Sequence, residues 1–173
     1  MINTVNNEQP AVYGPIPSPV PSQSQWERDQ DTIALALNII HKRLGSTEKL
    51  TISGPNDVKN YLVLQLTEQE REVFAVMFMD NRHRLIKYEE LFYGTIDGAS
   101  VYPHEVVKAA LKHNAAAIVI AHNHPSGIPK PSKADIAITK RLKDACKLVD
   151  IRLLDHVIVG GIETHSLAEK GEL

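Results

Sequence analysis

His122, Asn123 and His124 are followed by Ser132 and Asp135, a run of the form H-x-H-x7-S-x2-D. Side chains two apart on an extended segment point to the same side. His122 and His124 can therefore aim their imidazoles at one point, and Asp135 brings a carboxylate after a short loop. Two imidazoles and one carboxylate make a three-ligand zinc set that leaves a fourth position for water. That pattern is catalytic in character, because a structural zinc site is usually closed.

Hydrolysis at such a site needs a base outside the ligand set to take a proton from the water. Glu72, Glu89, Glu90 and Glu105 are the candidates, and pattern alone does not choose among them. Glu72 opens an apolar run, Glu89 and Glu90 alternate along one strand, and Glu105 suits the first turn of a helix, where negative charge is favourable. Ser132 and Asp135 also fit a capping box, with Ser132 as N-cap. The capping and metal-site readings are compatible, although a capping Ser132 has less freedom to bond a substrate.

These residues need elements to hold them. Val73 to Met79 is an almost unbroken apolar run, expected as a buried strand, with a turn at residues 80–83 and a return strand from Arg84 to Phe92. Pro103 to His113 is expected as a helix with Val106, Val107, Ala110 and Leu111 inward. Ala116 to Ala121 is the strand that delivers His122, and an irregular Pro/Gly loop follows it. The next helix starts at Ser132, with Ile138, Leu142, Ala145 and Val149 on its inner face. Ile151 to Val159 is a strand stopped by Gly160-Gly161, and a short strand near Thr164 to Leu167 closes the sheet. Upstream, helical spacing runs from Glu27 to about Leu44 through Ile33, Leu37 and Ile40, and a second helix from Pro55 to Leu66 carries Val58, Tyr61, Leu62 and Leu66 on one face. Residues 1 to about 25 are rich in Pro, Ser, Asn and Gln and read as an extended or disordered arm. The expected organisation is thus an arm over 1–25, a helical lead-in over 26–68 and a main domain over 69–173. Helices and strands mix without a strict βαβ repeat, so the expected fold is an α/β (α+β) sandwich around a mixed sheet.

The formal net charge of −2 leaves no basic surplus to grip a phosphate backbone, so nucleic-acid binding has no support beyond a local patch. Cys146 is the single cysteine, which excludes an intrachain disulfide framework and a cysteine-based zinc finger and makes the cytosol the natural compartment. No stretch approaches a membrane span, and the N-terminus lacks the pattern of a secretory signal.

The segment from about Glu72 to Leu167 resembles the RadC-like branch of the JAB/MPN metalloprotease-like domains, also called JAMM domains. The resemblance is carried by Glu72-Val73-Phe74, Glu90-Leu91-Phe92 with Gly94-Thr95, Pro103-His104-Glu105-Val106-Val107 and Asn114-Ala115-Ala116-Ala117. It continues through His122-Asn123-His124-Pro125-Ser126-Gly127, Pro131-Ser132-Lys133-Ala134-Asp135 and Leu154-Asp155-His156-Val157-Ile158-Val159-Gly160. It implies a mixed-sheet, cytidine deaminase-like sandwich. It implies that His122, His124 and Asp135 are zinc ligands, that Ser132 helps bind water or the developing oxyanion, and that Glu72 is the general acid/base. The implied reaction is attack by zinc-bound water on a peptide or isopeptide carbonyl of a protein or peptide substrate. The helix-hairpin-helix segment usual in full-length RadC proteins is not found in residues 1–66, so the resemblance is to a short form. The competing reading is a non-catalytic or DNA-repair-associated binding module on the same fold. A zinc deaminase is disfavoured because the Cys-x-x-Cys half of its signature is missing.

Asp155 and His156 are adjacent in a strand and face opposite sides, so they do not act together on one substrate. Ordinary strand polarity is their plain reading, with a contact from one of them to a zinc-bound imidazole as the alternative. Asn123 points away from the metal and braces the loop. Cys146 is read as core packing, and Lys130, Lys133, Lys140, Arg141 and Lys143 as a solvated helix face or a docking patch. Substrate identity and oligomeric state are not legible.

Overall fold

In the computed structural model the described residues are 24–45, 52, 54–94 and 100–173, with 40–45 described by their backbone alone. The arm expected over residues 1–25 lies outside them up to residue 23, as do Thr95 and the side chains of Ile40 and Leu44. Four helices, α1 (Gln25–Gly45), α2 (Pro55–Leu66), α3 (Pro103–Lys112) and α4 (Lys133–Lys147), accompany five strands. The strands are β1 (Val73–Met79), β2 (Leu85–Tyr93), β3 (Ala117–Asn123), β4 (Arg152–Gly160) and β5 (Glu163–Ser166). They form one sheet in the order β2-β1-β3-β4-β5. All neighbours are antiparallel except β3 and β4, which run parallel across the α4 connection. The mixed-sheet sandwich expected from the sequence is the observed fold.

β1 and β3 are central and every residue of each is buried, which explains their unbroken apolar runs. Alternation then builds two cores. Val73, Ala75, Met77, Val119, Ala121 and Val157 pack under α2 through Val58, Leu62 and Leu66. Phe74, Val76, Phe78, Ile118 and Ile120 face α3 and α4 through Val106, Ala110, Leu142 and Cys146. Full burial of a side chain such as Leu62 contributes roughly 1.5–3 kcal/mol. α1 begins at Gln25, ahead of the expected Glu27, because Ser24 and Glu27 form a reciprocal cap: Ser24 N donates to Glu27 Oε2 at 2.6 Å and Glu27 N donates to Ser24 Oγ at 3.2 Å.

Two helix faces differ from expectation. On α3, Val106 and Ala110 are buried, but Leu111 is 57% exposed. On α4 the buried residues are Thr139, Leu142 and Cys146, while Val149 lies beyond the helix at the surface. Ile138 and Leu142 pack inward as expected, and Thr139 is buried beside them with its hydroxyl bonded to Asp135 O and facing His156 Nδ1. Among the described residues no helix is long and apolar enough to cross a membrane.

Candidate metal centre

The strand β3 ends within the motif itself, so His122 is still paired to β1 and β4, and Asn123 to β4. His122 stands opposite Phe74 in the antiparallel register, and Glu72 and His124, two residues beyond them on each chain segment, line the same groove. Side chains facing each other across an antiparallel pair share a face. Glu72, Phe74, His122 and His124 therefore all look toward α4. The loop after His124 returns to Ser132, which caps α4: Asp135 N donates to Ser132 Oγ at 3.1 Å, and Ser132 N donates to Asp135 Oδ2 at 2.6 Å. The capping box expected from the sequence is present, and it fixes the Asp135 carboxylate at the first turn of the helix.

The ligand atoms of His122, His124 and Asp135 lie within 4.8 Å of one another. His122 Nε2 is 3.0 Å from His124 Nε2 and 3.4 Å from Asp135 Oδ1, and His124 Nε2 is 3.7 Å from Asp135 Oδ2. Metal–ligand bonds of about 2.0–2.1 Å in a tetrahedron put donor atoms about 3.3–3.4 Å apart. The spacing and the nitrogen/oxygen donor set fit a divalent ion with three protein ligands. His124 Nδ1 is 2.8 Å from the Ile128 carbonyl, which can only accept, so the proton sits on Nδ1 and Nε2 presents a lone pair to the centre.

Electrostatics favour the ligand-competent charge states. Burial pushes the His122 imidazole down to about 4, so it is neutral at neutral pH. Burial raises the Asp135 carboxyl, but the neighbouring His124 and His122 rings and the Ser132 bonds outweigh it and hold the group well below the usual carboxylate range. The same bond to Asp135 raises His124, with Glu72 adding to the effect. Metal binding requires neutral imidazoles and an ionised carboxylate.

The three ligands line a groove of about 610 Å³ together with Glu72, Phe74 and Ser132. Among the described residues the Ser132 hydroxyl accepts one bond and has no acceptor for its own proton, so capping leaves its donor for a guest in the groove. The Phe74 ring stacks on His122 with centroids 6.3 Å apart and 12° between planes. Of the other candidate bases, Glu89 lies 2.9 Å from His113 Nε2, too poorly aligned for a hydrogen bond. Glu90 accepts from Tyr88 and Tyr93, and Glu105 sits with His104 and Lys108 at the start of α3. None of the three lines the groove. Arg141, one of the basic residues beyond the motif, does.

His156 and Thr139 complete the surroundings: of the two readings for the Asp155-His156 pair, the contact to a candidate ligand imidazole is the one His156 makes, while Thr139 was not legible as a functional residue. His122 Nδ1 is 2.8 Å from His156 Nε2, and His156 Nδ1 is 2.6 Å from Thr139 Oγ1. The one signal in the sequence was a threonine four residues after Asp135, on the same helix face. Asp155 faces elsewhere, accepting from Ser166 Oγ at 2.6 Å and from Ala168 N at 3.0 Å.

Residues 52–172 match the RadC-like JAB domain family. The chain is 64% identical over 122 residues to a UPF0758 protein of Cellvibrio japonicus, covering 70% of this chain and 54% of the relative. It is 54% identical over 143 residues to a UPF0758 protein of Xanthomonas oryzae pv. oryzae, covering 82% of this chain and 64% of the relative. The chain thus spans between about half and two thirds of the length of these curated relatives.

Proposed function

The chain belongs to the RadC-like JAB domain family, and from that premise we propose that it is a zinc-dependent hydrolase cutting a peptide or isopeptide bond. The observation that carries the reading is one groove holding a three-ligand cluster, a carboxylate outside that cluster and a serine with a free donor. His122 Nε2, His124 Nε2 and one Asp135 oxygen would hold the ion. When bound, zinc supplies Lewis acidity that makes a water acidic and polarises a carbonyl.

The chain's own residues do the rest. Glu72 takes the proton of the attacking water on its carboxylate and passes it to the departing amine nitrogen as the C–N bond breaks. The Ser132 hydroxyl donates to the carbonyl oxygen as negative charge develops there. Phe74 gives the groove an apolar wall beside His122 and keeps bulk water from the ligands. His124 and Asp135 hold their lone pairs in place through Ile128 and Ser132.

The test is metal analysis of the purified protein together with proteomic comparison of cleaved products. The wild type is expected to carry zinc, and Glu72→Gln to keep it while turnover falls by roughly 10²–10⁴-fold. His122→Ala and Asp135→Ala are expected to lose the metal. Cleavage by Glu72→Gln at the wild-type rate overturns the assignment of the base, and a wild-type protein that takes up no metal overturns the reading as a whole.

A further inference from the structure

The side-chain contacts behind His122 run in a line into the core. His122 Nδ1 faces His156 Nε2 at 2.8 Å, His156 Nδ1 faces Thr139 Oγ1 at 2.6 Å, and Thr139 Oγ1 reaches the backbone carbonyl of Asp135 at 2.5 Å. All three side chains are buried: His122 is 1% exposed, Thr139 2% and His156 0%. No water competes for these contacts, so the protons must be shared out among the groups themselves.

The last contact decides the others. A carbonyl oxygen only accepts, so the Thr139 hydroxyl spends its single proton on Asp135 O. Thr139 Oγ1 can then only accept from His156, which places the His156 proton on Nδ1. A neutral imidazole has one N–H, so His156 Nε2 is a lone pair and must accept from His122. The His122 proton therefore sits on Nδ1, and His122 Nε2 is left as a lone pair.

We propose that Thr139 and His156 are positioning residues that lock His122 in the tautomer presenting its Nε2 lone pair to His124 and Asp135. Metal-bound histidines usually donate their second nitrogen to a carboxylate or a carbonyl. Here the receiving group is another histidine, whose own tautomer is dictated by a threonine hydroxyl on α4. Thr139 lies one helical turn beyond the ligand Asp135, so the same turn of α4 supplies one ligand and sets the proton position on a second. The inference rests on His122 being a ligand and not on what the groove cleaves.

Removing the hydroxyl without changing shape tests it. In Thr139→Val the His156 Nδ1–H would face a methyl group, which favours a shift of the proton to Nε2. His156 then donates to His122 Nδ1, and the His122 proton moves to Nε2, the atom the metal needs. Long-range ¹H–¹⁵N correlation spectra of the metal-free wild type at neutral pH are expected to show both rings neutral and protonated on Nδ1. Thr139→Val is expected to show His122 protonated on Nε2 and to lose zinc affinity roughly 10- to 100-fold, measured with zinc alone against a chromophoric chelator. Thr139→Ser keeps the hydroxyl and is expected to match the wild type in both readings. A wild-type His156 protonated on Nε2 overturns the proposal without any variant. So does a folded Thr139→Val that binds zinc like the wild type, or a Thr139→Ser that loses as much affinity as Thr139→Val. Failure to find peptidase activity bears on the proposed reaction and leaves these readings unaffected.

Discussion

The side-chain oxygen of Asn123 accepts a hydrogen bond from the backbone amide of Val73 at 2.8 Å, across the β1–β3 boundary. Its amide nitrogen donates to the carbonyls of Gln69 at 3.3 Å and Arg71 at 3.0 Å. Asn123 does brace a loop, as its sequence position suggests, but the loop is the one leading into β1 and carrying Glu72. A fourth tie, from Gly94 N to the Glu72 carbonyl at 2.7 Å, holds the other side of that segment. Asn123→Ala leaves several backbone groups without partners and is expected to cost roughly 1–3 kcal/mol. Amide exchange across residues 69–73 is expected to accelerate while metal content stays unchanged, because His122 and His124 lie on the other face. Unchanged exchange over this stretch would rule out the clamp.

Gly160 seats the loop that follows His124. A Cβ there would lie 2.6 Å from Pro129 N and 2.8 Å from the Gly127 carbonyl carbon, both backbone atoms. Gly160→Ala is therefore expected to push the loop outward, move the Ile128 carbonyl from His124 Nδ1 and weaken metal binding about tenfold, with a packing cost of about 1–3 kcal/mol. Gly161→Ala is the control. Its φ of +59° makes alanine unfavourable by about 1 kcal/mol, yet nothing stands within 4 Å of the added carbon, so metal affinity is expected to hold. Chelator competition and urea denaturation on both variants decide the matter, and equal metal affinity for the two would exclude a seating role.

The two duties of Ser132 can be separated by substitution. Ser132→Ala removes the cap and the donor together, and is expected to cost about 1 kcal/mol in stability. Ser132→Gly keeps most of the capping stability, losing only a few tenths of a kcal/mol by the usual ranking, but also lacks the hydroxyl. Both are expected to retain the metal and to lower turnover by roughly 10²–10³-fold. A Ser132→Gly protein that cleaves normally would assign the serine to the helix alone.

The metal-free protein is expected to lose stability as pH falls from about 6.5 to 4. The folded His122 pKa of about 4 lies below its unfolded value, so the unfolded chain binds more protons across this window. The His122 contribution is complete above the unfolded value and is lost on acidification, to the extent of roughly 3 kcal/mol at 1.36 kcal/mol per unit. His156 is pushed down in the same sense by burial. His124 has the opposite sign: its raised pKa gives stability below the unfolded value that is lost as pH rises through the folded one. Asp135 adds a loss at still lower pH, because its depressed carboxyl must be protonated there. Urea midpoints measured with a chelator present should therefore fall steadily through the window, and a flat profile would mean that His122 is not buried neutral.

The sheet was largely legible because its central strands are buried on both sides and read as plain apolar runs, as from Val73 to Met79. The cluster of His122, His124 and Asp135 was legible because an i, i+2 pair and a capping box are local patterns. Glu72 was reachable by pattern only as one candidate of four, since its place in one groove with His124 comes from the fold and not from a local spacing. Thr139 was missed because hydrophobic periodicity assigns the inner face of α4 to Ile138 and Val149. A buried threonine is explained by the acceptor and donor it meets, and these come from β4 and from its own helix. Leu111 was misplaced because it neighbours the buried Ala110 in the apolar pattern, yet it is 57% exposed.

The pairing of β3 with β4 skips one residue: Ile118 stands beside Leu153, but Val119 stands beside Asp155. Leu154 is the extra residue, and its side chain packs toward the α2 core. Such an insertion reverses the alternation of everything downstream of it. Were Leu154 taken into the ladder beside Val119 instead, Asp155 would pair with Ile120 and project toward His122, while His156 would turn to the α2 face. One supernumerary residue thus selects an uncharged ring in place of a carboxylate as the neighbour of a buried imidazole. The backbone count of a strand, as much as any side chain, is a determinant of charge at the centre.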